Sequence, residues 1–354
     1  MNKRVFDTQN IILLKVDETD LNSFLVDMDL DDSGQYVFQL ESLANAIIET
    51  IPEYVFADYK GSSLPLAGSV SRLREAAKSI YKIKEYELMY RAYVLNDAAA
   101  MEKIKKSSYM NRGEFGELLL HLLLRDVKGT IPLISKVYFK DSPSVPAHGF
   151  DAVHITPENK ILWLGESKFY SDAEQGLNAL LNDLNEHFKR DYLNEQFVII
   201  KKNLENNSIP QREEWLERLT NCTRLSDELS MINIPLLCMY PHDIYKKFSN
   251  MNDMSAVLYH EANVRELKAY FDSHNKHPLK TSLNIILLLF PIESKKELVT
   301  RLHEKLWHNL YRKHKNIMAI VSDIYQSRLS KIKDQTSVRK RQCLDDAIET
   351  TFHI

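Results

Sequence analysis

Near the middle of the chain the run ILWLGESKFY (161–170) places a carboxylate and an amine, Glu166 and Lys168, late in an otherwise apolar segment. Alternate side chains of an extended strand share a face, so Glu166 and Lys168 point one way, and Trp163, Gly165, Ser167 and Phe169 the other. Acid-x-Lys triplets recur here by composition alone: Asp58-x-Lys60, Asp126-x-Lys128, Glu158-x-Lys160, Glu266-x-Lys268 and Glu293-x-Lys295. Only 166–168 ends a strongly apolar strand, where charge is costly unless it has a partner or a task.

A third group comes from GFDAVHI (149–155), joined to that strand by a TPENK turn (156–160). If the two runs pair as an antiparallel hairpin about this turn, Asp151 falls opposite Glu166 or one step away. Opposed Cβ atoms lie about 4.5–5.5 Å apart. Two carboxylates that close repel each other unless a cation lies between them, and hard oxygen donors suit Mg²⁺ or Mn²⁺. Such a metal polarises a phosphodiester and lowers the pKa of a bound water, while Lys168 orients or helps deprotonate that water and adds positive charge. The competing account is a surface hairpin with an incidental Glu–Lys pair.

Neighbouring residues extend the candidate set. Glu114 and Glu117 stand at i, i+3 in RGEFGELLLHLLLRD (112–126), and either could be a further metal ligand; Glu117, beside the leucine run, is favoured. Both also suit a helix N-terminus with no further task. Gln175, in the first turn of the helix after Lys168, could touch substrate phosphate, although a solvated helix position explains it as well. His148, just before the aspartate, is read as a loop histidine.

Several elements must position these groups. The apolar positions Phe115, Leu118, Leu119, Leu122 and Leu123 recur at helical spacing and predict one buried stripe. After this helix the pattern predicts a strand at 133–139, the hairpin, a helix over 173–190 and a strand at FVIIKK (197–202). IPLLCMY (234–240) and LNIILLLF (283–290) read as further buried strands. VRELKAYFDSH and KKELVTRLHEKLWHNLYRKH read as helices flanking the second, and the alternation predicts an α/β sheet. Residues 1–100 read as an N-terminal α+β module or elaboration and a candidate partner-docking region. It has a strand at 11–16, an acidic segment from Asp17 to Asp32 read as a solvated loop, and helices near 40–50 and 69–80. The core is placed at 101–320 and a basic helical segment at 321–354.

Composition narrows the classes. The 354 residues are 44% hydrophobic and 27% charged, ordinary for a globular chain. The longest apolar run, 283–292, is about half of the roughly 20 residues a membrane span needs. The N-terminus lacks the pattern of a signal peptide. Cys222, Cys238 and Cys343 are scattered, which argues against a disulfide framework or zinc ribbon and fits a reducing cytoplasm. A net charge of −3 leaves phosphate binding to local basic clusters such as Lys103, Lys105 and Lys106, or those after Arg312. No G-x-x-x-x-G-K-[ST] loop occurs, so the chain has no obvious motor of its own.

The combination of helix glutamate (Glu114 or Glu117), Asp151 and Glu166-Ser167-Lys168, followed by a helix, resembles the PD-(D/E)xK nuclease superfamily. Gly149-Phe150-Asp151 replaces that motif's proline. More narrowly, HGFDAVHITPENKILWLGESKFY together with RGEFGELLLHLLL is similar to the HamA family of Hachiman antiphage-defence subunits and to the related AbpA phage-resistance proteins. The resemblance implies a restriction-endonuclease-like core, a mixed sheet flanked by helices. It also implies Mg²⁺-dependent cleavage of DNA, a cytoplasmic location and a superfamily 2 helicase partner (HamB-like) that restrains the nuclease.

Overall fold

The computed structural model describes residues 4–56 apart from 7, isolated positions between 75 and 92, then 95–105, 113–134, 149–206 apart from 157 and 159, 211–221 and 225–311. Two compact units divide the chain, 1–306 and 307–354, and of the second only the end of one helix is described. The chain opens with β1 (Ile12–Asp17), β2 (Leu21–Val26), a small hairpin of β3 (Met28–Leu30) and β4 (Tyr36–Phe38), and helices α1 (Leu40–Glu49) and α2 (Ile51–Phe56). After α3 (Ala98–Lys105) come α4 (Glu114–Asp126), β5 (Ile131–Ile134), β6 (Ala152–Thr156) and β7 (Ile161–Phe169). Helices α5 (Ala173–His187), α6 (Arg190–Asn206), α7 (Arg212–Asn221) and α8 (Leu225–Ser230) lead to β8 (Ile232–Pro241). Short α9 (Ile244–Lys247), long α10 (Met254–His274), β9 (Asn284–Ile292) and α11 (Lys295–Tyr311) complete the described chain.

The principal sheet is mixed and has seven strands in the order β1-β2-β9-β8-β7-β6-β5. Its centre, β2-β9-β8-β7, is parallel, and antiparallel pairs close both edges. β8 and β9 are buried almost throughout, as parallel strands covered on both faces must be. The α/β expectation therefore holds, with a sheet flanked by helices. The N-terminal strands extend this same sheet, because Leu21–Ser23 pair with Leu287–Leu289.

Three expectations are corrected. FVIIKK is helical and lies within α6, not in a strand. Its β-branched residues suggested a strand, but the buried positions Leu193, Phe197, Ile200 and Leu204 recur at helical spacing while Val198 is exposed. The segment 17–32 is no single solvated loop: LNSFLV forms the fully buried β2, and Glu18 and Asp20 at its head pair with Arg265 and Lys268. Finally, α4 is buried on every side from Phe115 to Arg125, where a single stripe was expected, because the sheet covers one side and α1 and α2 cover another. The remainder of the 133–139 strand, most of the 69–80 helix, His148, Cys222, Cys343 and the basic clusters from Arg312 onward lie outside the described residues.

Candidate active site

The hairpin forms in the expected register, with pairs from Ala152↔Gly165 to Thr156↔Ile161. Asp151 stands one residue beyond the end of this ladder, so continuing the register sets it opposite Glu166. Its Oδ2 accepts hydrogen bonds from the Ser167 backbone N–H and from Ser167 Oγ, both at 2.9 Å.

Two helices close on β7 from its two faces. On the face of Gly165 and Ser167, α4 approaches so closely that a Cβ added at Gly165 would meet Leu120 Cδ2 at 2.9 Å and Pro235 Cγ at 3.0 Å. Gly116 likewise allows α4 to pass Ser167, whose Oγ would lie 3.2 Å from a Cβ there. On the opposite face α5 supplies partners for the charged pair. His187 Nδ1 lies 2.6 Å from Glu166 Oε1, and Asp183 forms a salt bridge with Lys168. The pairing 166 with 187 and 168 with 183 means that α5 runs back along the strand. Two strand residues span about 6.6 Å and four helical residues about 6 Å, so the spacings match.

Electrostatics bind the groups into one cluster. Glu166 is only 2% exposed. Burial first, and then the charge of Asp151, raise its pKa from 4.5 to about 8, against the pull of His187. Burial opposes the charge of Lys168, but Asp183, with Asp151 and Glu166, more than offsets it and holds the ammonium above its ordinary range. Lys168 is therefore a standing cation at neutral pH, suited to stabilising negative charge rather than to taking a proton from water. His187 is likewise raised, its burial outweighed by Glu166, Asp183 and Asp151.

Glu117 is buried on α4 and accepts a 2.5 Å hydrogen bond from Tyr54 of α2. Burial and the neighbouring carboxylates of Glu117, Asp151 and Glu114 push the Tyr54 phenol well above its ordinary pKa, so it remains a donor. Glu114, at the start of the helix, is half-buried. Glu117, His121 and Arg125, four residues apart, form a polar stripe in a leucine-rich helix. Glu53 of α2 meets both Arg125 and His121, and His121 lies 3.1 Å from His154 of β6. Each polar side chain of this stripe thus has a neighbour of matching chemistry.

Asp151, Glu166 and Lys168 are brought together, with Glu117 and Glu114 close enough to act on the same tyrosine. Gln175 is exposed in the first turn of α5, eight residues and about 12 Å of helix before Asp183. Sequence reading missed Asp183, His187 and Tyr54. Asp183 and His187 did carry a signal, an i, i+4 pair of polar residues on the helix after the strand, which also describes any solvated face.

Among the described residues no three Asp, Glu, His or Cys side chains are drawn together tightly enough to hold a metal ion, and Glu117, Asp151 and Glu166 each have a protein partner. The donor chemistry nevertheless suits a hard divalent cation. Burial first, and then the charge of Asp151, disfavour a bare anion at Glu166, and a bound cation would offset both.

Fold and site together define a mixed α/β protein with a buried acid–lysine centre at one end of a sheet hairpin, between two helices. The chain belongs to the HamA family, whose family model matches residues 2–306. That family places it in Hachiman antiphage defence. No curated protein matches the chain. No helix among the described residues is long and apolar enough to cross a membrane.

Proposed function

We propose that the chain is a PD-(D/E)xK-type, metal-dependent DNA nuclease that serves as the effector of antiphage defence under the control of a superfamily 2 helicase. The observation that carries this reading is the electrostatic coupling of Asp151, Glu166 and Lys168 at the end of one hairpin. Asp151 and Glu166 would hold Mg²⁺ or Mn²⁺, with Glu117 or Glu114 assisting. The bound ion supplies Lewis acidity toward a phosphodiester and a lowered pKa to a coordinated water. Lys168, kept cationic by Asp183, orients the attacking water and stabilises charge developing on the phosphoryl oxygens. Ser167 fixes Asp151 through its backbone N–H and its hydroxyl, so the carboxylate approaches the site at a set angle.

The test is cleavage of linear and plasmid DNA by the purified chain, alone and with its helicase, in Mg²⁺, Mn²⁺ or chelator. Cleavage that requires metal and disappears in Glu166→Gln and Lys168→Ala, with both variants still folded and partner-bound, supports the reading. Equal degradation by the double variant overturns it.

A second reading draws on the protein partners already held by Glu117, Asp151 and Glu166. In it, the chain is a catalytically inactive nuclease-fold subunit that regulates or loads the helicase. Chelator-insensitive function of the complex favours this alternative.

A further inference from the structure

The deepest unexplained feature beside the acid–lysine centre is the ring cluster that holds His187. His187 sits at the C-terminal end of α5 with its ring stacked on Tyr192, centroids 4.7 Å apart and planes at 11°. Phe150 presents an edge to His187 at 5.8 Å and to Tyr192 at 5.8 Å, and tilts against Phe188 at 5.1 Å. Phe150 also directly precedes Asp151 in the chain. One aromatic cluster therefore packs beside both acids: it orients the imidazole against Glu166 and anchors the backbone from which Asp151 projects.

The imidazole is held by stacking, not only by its polar contact. Its Nδ1 approaches Glu166 Oε1 at 2.6 Å, and that carboxylate is 97% enclosed, its side chain being 3% exposed. Packing leaves a buried carboxylate few rotamers, and a fixed polar partner selects among those that remain. Here the selector comes from a different element and is fixed by two neighbouring rings, Tyr192 and Phe150, the latter backed by Phe188. Ligands oriented in this way bind metal more tightly because less conformational freedom is lost on binding.

We propose that His187 is a positioning residue for Glu166, locking the carboxylate in the orientation that receives a divalent cation. This rests on the nuclease reading of Glu166 as a metal ligand. His187 does not itself touch substrate or metal in this role; it acts through the carboxylate.

The experiment uses the full chain and reads Mn²⁺ binding directly by electron paramagnetic resonance, with DNA cleavage measured in parallel. The variants are His187→Ala, which deletes the contact, and His187→Asn, whose amide nitrogen can occupy the place of Nδ1. Circular dichroism and thermal midpoints establish that each is folded. The expected result is a Mn²⁺ midpoint raised about 10- to 100-fold in His187→Ala, returning to within a few-fold of wild type in His187→Asn. The cleavage rate of the alanine variant at saturating Mn²⁺ recovers most of its loss. A folded His187→Ala that binds Mn²⁺ as wild type does overturns the inference and leaves the nuclease reading intact. Failure of His187→Asn to restore binding also counts against it, because packing alone would then explain the alanine variant. A wild type that binds Mn²⁺ and shows the His187 effect yet cuts no DNA sustains the inference while refuting nuclease activity. A wild type that binds no Mn²⁺ defeats both.

Discussion

Replacing Glu166 by glutamine should stabilise the metal-free chain at alkaline pH while abolishing its chemistry. In the folded state burial and Asp151 raise the Glu166 pKa from 4.5 to about 8. A group raised in this way contributes stability that is fully present below pH 4.5 and is lost as pH climbs to about 8. At about 1.4 kcal/mol for each unit of pKa, complete ionisation of the folded site costs about 5 kcal/mol. That value already includes the opposing pull of His187, so Glu166→Gln is expected to be more stable than wild type by up to about 4 kcal/mol at pH 8 in chelator. The measurement is urea unfolding of both proteins from pH 5 to pH 9 in EDTA. Wild type should weaken across the range, and the variant should stay nearly level. Adding Mg²⁺ at about 100 times its dissociation constant should restore about 2.7 kcal/mol to wild type only. A glutamine variant that follows the wild-type pH curve, or that is less stable at pH 8, would refute the claim that burial and the charge of Asp151 raise the Glu166 pKa.

Other consequences test the supports around the centre. Tyr54→Phe deletes the donor to buried Glu117 and should cost about 1–3 kcal/mol by urea unfolding; a smaller loss would mean that Glu117 does not depend on α2. Gly165→Ala places a Cβ within 3.0 Å of Leu120 and Pro235, and should lower stability by about 1–3 kcal/mol while reducing cleavage through displacement of α4 from β7. Unchanged unfolding would show that the helix can yield at that point. Asp183→Asn removes the charge that holds Lys168 above its ordinary pKa, so the alkaline limb of the cleavage profile should move to lower pH. A limb that stays in place would show that the ammonium does not rely on Asp183.

The polar stripe of α4 links the site to the N-terminal segment. Glu53 and Tyr54, adjacent residues of α2, reach Arg125 with His121 and Glu117 respectively, a separation of two helical turns. Breaking the buried Glu53–Arg125 pair from one side would leave an uncompensated charge, which is strongly destabilising. This couples the order of α2 to the placement of Glu117, so change at the N-terminus can reach the candidate ligand without touching the hairpin.

Local pattern in the chain was enough to define the hairpin and the shared face of Glu166 and Lys168, because a turn of known length and a period of two leave little freedom. It narrowed the register to two neighbouring choices, of which the structure takes the one that sets Asp151 opposite Glu166. Long apolar runs likewise announced β8 and β9, while the HamA motifs pointed to the family that the match over 2–306 establishes. The helical state of FVIIKK was not settled by its β-branched composition, since packing of Phe197, Ile200 and Leu204 on one side overrode that local preference. Nor could sequence separate Asp183 and His187 from an ordinary solvated helix face, or connect Tyr54 with Glu117 across 63 positions. Those partnerships arise only when α5 lies back along β7 and α2 closes over α4. The pKa values that define the candidate chemistry follow from that burial and proximity, which tertiary packing alone decides.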